Sequence, residues 1–581
     1  RDSRRVFVAA AGKLYSTGGG RGVYLTEDGG SSWKQVLKGE GEWSGASDLV
    51  MHPTDPDTLY AALWERKRTP WQFTESGAGS ALYRSRDGGR SWTKLTQFPS
   101  GKEVGRIGLA VSPARPDTVV ASVDLWRPVP PELRHAGDRP LSPKRLKTMS
   151  REEFLRQDPD ELEAFVRAAD LPAEVDGAKL LAGVKEGSIT LDSLRERLSD
   201  ANAALFEADI WGLTIWRSDD AGTNWRQTHE RPIRNVSYTY GYYFGTVALD
   251  PGNADRVYAM GVPLVVSEDG GKSWSGYANH RDVHVDHHAL WIDPANPQRL
   301  LLGNDGGVDI SYDRGLTWRK LDAQPVGQFY TLQVDMAEPY NVYGGLQDNG
   351  TLKGSSRTRW ELGQDWSFLS GGDGAFVAVD GEGKHTYTGY QFGNSMRLDA
   401  DGKRHEVRPR SPLSEAPLRY NWMSPLMVSP HNPQVVYFAA NRLFRSFDKA
   451  RTFQPISPDL SKSTARGNVP FGTITSLSES RLRFGQLAAG TDDGQVHVTR
   501  DGGLSWQDVG DGLPLDRWVS RVEWSQHVEG RLYLSLNGYR QDDDRAYLYA
   551  SEDFGRNWRA IGAGLPAEAL NVVREDPVNA D

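Results

Sequence analysis

The sequence predicts an all-β protein made of tandem β-propellers with four-stranded blades, interrupted by one inserted α-helical segment. Three observations carry this reading. A hairpin phrase, Ser/Thr-x-Asp-x-Gly-x-x-Trp, recurs seven times, with an eighth, degenerate copy. Each unit also carries pairs of short apolar runs joined by Pro-containing turns. Finally, the 581 residues include 62 Gly and 19 Trp but no Cys. At the average of about 7% Gly, roughly 41 would be expected. Many tight turns, each with an aromatic plug, account for both excesses.

The phrase appears first as TEDGGSSW (Thr26–Trp33), then SRDGGRSW (Ser85–Trp92) and SDDAGTNW (Ser218–Trp225). It continues as SEDGGKSW (Ser267–Trp274), SYDRGLTW (Ser311–Trp318), TRDGGLSW (Thr499–Trp506) and SEDFGRNW (Ser551–Trp558). SFDKARTF (Ser446–Phe453) is the degenerate copy. Physically it is a clasp. The Asp accepts backbone N–H bonds within its own turn. Gly supplies positive φ, and Trp re-enters the next strand and buries an aromatic face. Asp28, Asp87, Asp220, Asp269, Asp313, Asp448, Asp501 and Asp553 are therefore expected to be structural.

Before the clasp, stretches such as Leu49–Leu63, Leu290–Gly303 and Leu426–Ala440 read as strand, turn, strand. Four antiparallel strands per roughly 50 residues is a propeller blade. Five blades are expected to about Leu321 and five from about Gln328, two of them, near 328–366 and 370–410, without a clear clasp. The predicted domains are a first propeller over 1–325 and a second over 326–581, the latter ending in the start of another blade. Residues 140–209 have few β-branched residues and many Leu, Ala, Glu and Arg. They are expected to form three to five short helices inserted within the first propeller. Ser150–Glu153 is a capping-box start, and 178–185 and 191–198 have helical apolar spacing.

Composition removes several classes. Without Cys there are no disulfides, zinc ribbons or thiol nucleophiles. A net charge of −9 disfavours a general nucleic-acid binder. No apolar run approaches the ~18 residues of a membrane-spanning helix. Arg1 opens without Met or an apolar leader, and Glu575–Asp581 stops inside a repeat phrase. The sequence is thus expected to be cut from a longer chain.

In such a blade the clasp and the strand 1–2 turn share one face. The strand 2–3 turn and the link into the next blade share the other, and sites usually lie there and in the central funnel. Two signals fall on that link face. His280, His284, His287 and His288 are four of only 12 His. On an extended backbone His284, Asp286 and His288 point to one side, and a strand 2–3 turn brings Asp305 to the same face. These four residues suit a divalent metal ion, provided a bend converges them. A hydrogen-bonded His/Asp network is the alternative, and no cofactor is required. The second signal is aromatic: SYTYGYYFG (Ser237–Gly245), with Tyr240, Tyr242 and Tyr243, together with Tyr330, Trp366, Arg419, Tyr420 and Trp422. Tyr and Trp beside Arg suit sugar stacking or a protein hot spot. Phe244 and Trp518 are expected to plug the core.

The clasp resembles the Asp box, or BNR repeat, of sialidases, sortilins and two-propeller xyloglucanases. LYAALWERKRTPW (Leu59–Trp71), HVDHHALWIDP (His284–Pro294), GNDGG (Gly303–Gly307), YGGLQDNG (Tyr343–Gly350), RYNWMSP (Arg419–Pro425) and GTDDG (Gly490–Gly494) carry a wider likeness. With them the whole chain is similar to a group of secreted bacterial proteins labelled sortilin-like or glycosyl hydrolase. The resemblance implies two seven-bladed rings, each incomplete here, and a secreted, periplasmic or cell-surface location. It also implies a cleft or funnel that binds a polysaccharide or an extracellular protein or peptide, with neither nucleic acid nor membrane insertion. Two-propeller xyloglucanases use one Asp from each ring, and Asp286 with Asp373 is the matching candidate catalytic pair. No local motif matches that family closely and the sialidase Phe/Tyr-Arg-Ile-Pro phrase is missing. A glycoside hydrolase therefore stands as the alternative to a binding protein, and an assembly scaffold as a further one.

Overall fold

The computed structural model describes residues 2–130, 149–168, 174–191, 210–276, 283–321, 326–357, 366–413 apart from 382, 417–462 and 467–580, with isolated positions 133, 141, 146, 171, 194, 195 and 415. His280, Asp365 and much of the insertion lie outside them. The chain divides into two compact units. One holds Arg1–Arg68, Phe73–Gly177 and Ser199–Pro325, and the other Thr69–Gln72, Ala178–Leu198 and Val326–Asp581. The insertion is thereby split at Gly177.

The fold is a run of β-propeller blades. In the first unit a three-stranded sheet (Val6–Ala10, Gly22–Thr26, Lys34–Leu37) is followed by four-stranded sheets. The second is Ser44–Met51, Leu59–Glu65, Ala81–Ser85 and Thr93–Lys94, and the third Val104–Val111, Val119–Pro128, Ile210–Ser218 and Arg226–Gln227. The fourth is Val247–Asp250, Asn253–Met260, Leu264–Ser267 and Ser275–Gly276, and the fifth His287–Ile292, Leu300–Asn304, Gly307–Ser311 and Arg319–Lys320. The second unit has five four-stranded sheets, with inner strands Phe329–Val334, Val377–Val379, Leu426–Val428, Ile474–Glu479 and Trp518–Trp524. All pairings are antiparallel in chain order, as hairpin-connected strands require. The insertion leaves from Val119–Pro128 and returns at Ile210–Ser218, which pair directly, so the helices interrupt the blade without breaking its sheet. Ser150 and Glu153 form the expected capping box at the helix Arg151–Phe154, and further helices span Pro159–Ala168 and Gly177–Glu186.

The core lies between successive sheets. Tyr60, Leu82, Ile107 and Val123 pack the second against the third, and Tyr258, Leu264, Leu300 and Leu302 the fourth against the fifth. A fully buried Tyr stands in the second strand of five blades: Tyr60, Tyr258, Tyr343, Tyr387 and Tyr437. Hydroxyls add ties between neighbouring blades, with Thr331 donating to the Ala375 carbonyl at 2.8 Å and Thr475 to that of Val519 at 2.7 Å.

Every clasp has one geometry. The first-position hydroxyl donates to the Asp Oδ1 at 2.7–2.9 Å and accepts the fifth-position N–H at 2.7–3.0 Å. The Asp then accepts the seventh-position N–H on Oδ1 at 2.8–3.0 Å and that residue's side chain on Oδ2 at 2.5–2.7 Å. These bonds, the seventh-position hydroxyl first, hold the Asp28 and Asp501 carboxyls down at about 2. The fifth residue is left-handed, even Ala450 at φ 62° in the degenerate copy. A Cβ on Gly271 would sit 2.6 Å from Thr228 Oγ1 of the preceding blade, so Gly is needed there for space as well as for φ.

Replacing the buried Ser267 by Ala strands the Gly271 N–H. It should cost about 1–3 kcal/mol in urea unfolding. Ser273→Ala, at the exposed end of the same turn, should cost less.

Candidate functional site

The link face of the first unit gathers its chemistry on the segment between the third and fourth sheets. Tyr243 and Phe244 both donate their N–H groups to the Tyr240 carbonyl, at 2.9 and 3.0 Å, so residues 240–244 form a tight turn. Arg106, from the inner strand Val104–Val111, donates Nη1 to the carbonyls of Tyr242 at 3.1 Å and Tyr243 at 2.8 Å. The rings then form a chain. Phe73 meets Tyr242 edge-on at 4.8 Å, Tyr242 meets Tyr243 at 4.4 Å, and Tyr240 lies 5.9 Å from Tyr242. Arg68 sits over Phe73 at 4.9 Å. Tyr242 is largely buried, and burial raises its phenol well above the usual value. Tyr243 is 54% exposed, so one ring of a braced aromatic chain faces solvent.

Two carboxyls that sequence reasoning missed lie behind this chain. Asp124 is buried in the strand Val119–Pro128, and Trp126 Nε1 donates to its Oδ2 at 2.8 Å. Glu75 is 7% exposed, and its backbone carbonyl accepts from Trp64 Nε1 at 2.7 Å. Asp124 Oδ1 and Glu75 Oε2 are buried without a hydrogen-bond partner among the described residues. Burial, then the nearby Asp124, pushes Glu75 up to about 9; burial raises Asp124 to about 7. Gly241 and Gly105 close on Asp124: a Cβ at Gly241 would lie 2.0 Å from its Cγ, and one at Gly105 2.6 Å from Oδ2. A signal for Asp124 was available, because a lone carboxylate interrupts the apolar run Val119–Trp126. Glu75 has no such signal.

The His cluster departs from its expected geometry. The strand begins at His287, and Asp286 is left-handed at φ 65°, so 284–288 is not extended. The Asp286 and His287 N–H groups donate to the carbonyls of Val262 and Gly261, at 3.0 and 2.8 Å. His288 Nε2 and Asp305 Oδ1 are 2.8 Å apart, which joins the link to the strand 2–3 turn as expected. The Asp305 hydrogen bond raises the His288 imidazole above its usual value. His288 also stacks on buried Phe244 at 5.4 Å. His284 Nδ1 lies 3.0 Å from the Val285 carbonyl. Among the described residues no group of three or more His, Asp or Glu side chains is placed to hold a metal ion.

Asp286 belongs to the first unit and Asp373 to the second. Asp373 is buried, its Oδ1 accepting the Asp348 N–H at 3.1 Å and its Oδ2 the Tyr330 hydroxyl at 3.3 Å. These contacts engage both carboxyl oxygens in holding the loop. Arg419 is likewise engaged: its guanidinium donates to Asp459, Ser461 and Gly472 at 2.7, 2.8 and 3.1 Å. Tyr420 is buried under Arg408, with its hydroxyl donating to the Pro409 carbonyl. Trp366 and Trp422 remain 45% and 37% exposed. Trp422 is edge-on to Phe392 at 5.1 Å. Trp518 is half-buried beneath Arg540, at 3.8 Å.

Folded Glu75 keeps its proton to about pH 9, whereas an unfolded Glu releases it near 4.5. A raised carboxyl favours the folded state fully below the unfolded value and loses that contribution as pH climbs through the folded one. Stability should therefore fall between pH 4.5 and 9. Glu75→Gln should remove this loss, with a Tm gain over the wild type that grows to about a few degrees by pH 9. Scanning calorimetry from pH 5 to 9 checks it.

No protein-family model matches this chain, and no curated protein matches it. Among solved structures it is similar to the GH74 xyloglucanase of Xanthomonas campestris, at 15% identity over 96% of this chain and 76% of that one, with a TM-score of 0.37. It is also similar to an ancestral GH74 enzyme, at 14% identity, 96% and 76% coverage and a TM-score of 0.38. A third likeness is to the GH74 enzyme of Niastella koreensis, at 13% identity, 91% and 73% coverage and a TM-score of 0.27.

Proposed function

We propose that the chain is an exported saccharide-binding propeller protein whose first unit takes a sugar ring against the aromatic link 240–243. The observation that carries this is the braced chain Phe73–Tyr242–Tyr243. Its buried members fix the outermost ring, and a fixed exposed ring loses little entropy on stacking. Arg106 supports the reading by pinning the carbonyls on either side of Tyr243. A peptide partner would use the same exposed ring as an anchor and is the competing occupant.

A second reading, glycoside hydrolysis, is favoured by one observation. Glu75 is a carboxyl held protonated at neutral pH, which is the state a general acid needs. Its proton would pass to a leaving glycosidic oxygen, and a second carboxylate would assist on the opposite side. The candidate for that partner is Asp286.

Two measurements separate these readings. Affinity electrophoresis in xyloglucan and mixed β-glucans should show retardation that Tyr243→Ala weakens by about tenfold, with Tm unchanged, since stacking contributes of order 1 kcal/mol. Reducing-end release from the same polymers should be absent under binding alone. If release occurs and Glu75→Gln or Asp286→Asn abolishes it, hydrolysis is the function.

A further inference from the structure

A groove of about 930 Å³ opens in the first unit between the outer edge of the third sheet and the fourth. Its lining, 226–235 with Pro263, Val265 and 272–276, shares no residue with the aromatic link. On a chain of net charge −9 this lining has the opposite character. It carries Arg226, Arg231, Arg234 and Lys272 against the single carboxylate Glu230. Arg226 is neutralised by Asp219, at 3.0 Å, and Arg234 Nη2 donates to the Leu133 carbonyl. Arg231 and Lys272 are exposed and have no carboxylate within ion-pair distance among the described residues. Trp274, Pro232 and Ile233 add an apolar wall to the same groove.

The wall is fixed before any ligand arrives. His229 is buried, and its Nε2 accepts the Ile215 N–H at 3.0 Å. That nitrogen must be unprotonated, so the proton resides on Nδ1, which donates to the Arg231 carbonyl at 2.6 Å. Burial lowers this imidazole below its usual value and keeps it neutral. Gln227 Nε2 donates to the His229 carbonyl at 3.0 Å, and Thr228 Oγ1 reaches across to the Gly271 carbonyl at 2.8 Å. The loop bearing Arg231 is therefore tied to both sheets, so its backbone is ordered before a ligand arrives.

We infer that this groove is a second binding site, for an acidic oligosaccharide carrying carboxylates. Two exposed cations and an indole lining one groove match a chain that alternates carboxylates with flat pyranose faces. Arg231 would form a paired hydrogen bond to one carboxylate, Lys272 would neutralise a second, and a ring between them would pack on Trp274. A simple inorganic anion would use the charges but leave the indole and the groove's length unused.

Calorimetric titration with oligogalacturonate at low salt is the test. The inference expects binding that weakens as salt screens the exposed charges. Arg231→Ala should raise Kd about fivefold, and Arg231→Ala with Lys272→Ala by more than about tenfold, with Tm unchanged. Trp274→Leu should also weaken the sugar while leaving binding of inorganic phosphate unaffected. Neutral cello-oligosaccharides should not compete, and Tyr243→Ala should leave Kd unchanged, which keeps this site distinct from the one proposed above. Absence of oligogalacturonate binding, an unaltered Kd in the double variant, or displacement by phosphate at equal concentration would overturn it.

Discussion

A serine or threonine hydroxyl, buried where the third strand of a blade ends, is the constraint on which the rest of this molecule depends. The hairpin must reverse within a few residues, and its fifth-position N–H points inward where water cannot serve it. One hydroxyl accepts the fifth-position N–H and hands its own proton to the Asp, which collects the donors of the second half of the turn. With the turn satisfied internally, its outgoing aromatic is delivered against the preceding blade. Trp506 Nε1 donates to the Ile456 carbonyl at 2.8 Å and Trp558 Nε1 to that of Val509 at 2.7 Å. Each clasp therefore closes its own hairpin, and in the last two copies the indole also fastens it to the preceding blade, whereas Trp92, Trp225 and Trp274 donate to the Gly carbonyl of their own turn. The opposite ends of the blades are left free of that duty, and the aromatic link 240–243 lies there.

This explains what was legible in the sequence. A local hydrogen-bond circuit that repeats must repeat its residues, so the clasps and most strand boundaries could be read directly. Even so, one member was overlooked. The seventh position is Ser, Ser, Asn, Ser, Thr, Thr, Ser and Asn in the eight copies, always a side-chain donor to Oδ2. The sixth and seventh sheets lack a clasp and were traceable only by their spacing. The insertion was legible through its change of composition, and its capping box is present. How it divides between the units depends on tertiary contacts that no local pattern encodes.

The site was less legible, because its geometry is set by backbone features that side-chain types do not announce. His284, Asp286 and His288 were aligned on the premise of an extended strand, and the left-handed Asp286 removes that premise. Arg419 and Tyr420 have the composition of a binding surface, yet neighbouring carbonyls and carboxylates use them to hold loops. Loop carboxylates are the ones a sequence offers, whereas Glu75 and Asp124, the acids burial raises on the link face of the first unit, come from beside a hairpin and from a strand. Asp124 is marked in the sequence only as a lone carboxylate in an apolar run, and Glu75 not at all; their burial follows when segments distant in sequence close over them, with Gly105 and Gly241 supplying the space.

The two proposed sites differ in the way their polar groups are kept. At the link face the carboxyls are desolvated, so their neutral forms are favoured and the surface above them presents phenol and guanidinium without strong negative charge. That suits an uncharged ring which stacks and donates hydroxyls. In the outer groove the cations stay in water, where they keep full charge but are screened, and only preorganisation makes them selective. The neutral imidazole of His229 contributes to that ordering, since protonating it would cost the Ile215 bond while Nδ1 keeps its bond to the Arg231 carbonyl. Burial thus tunes one site by withholding charge and the other by fixing the frame that holds charge in place.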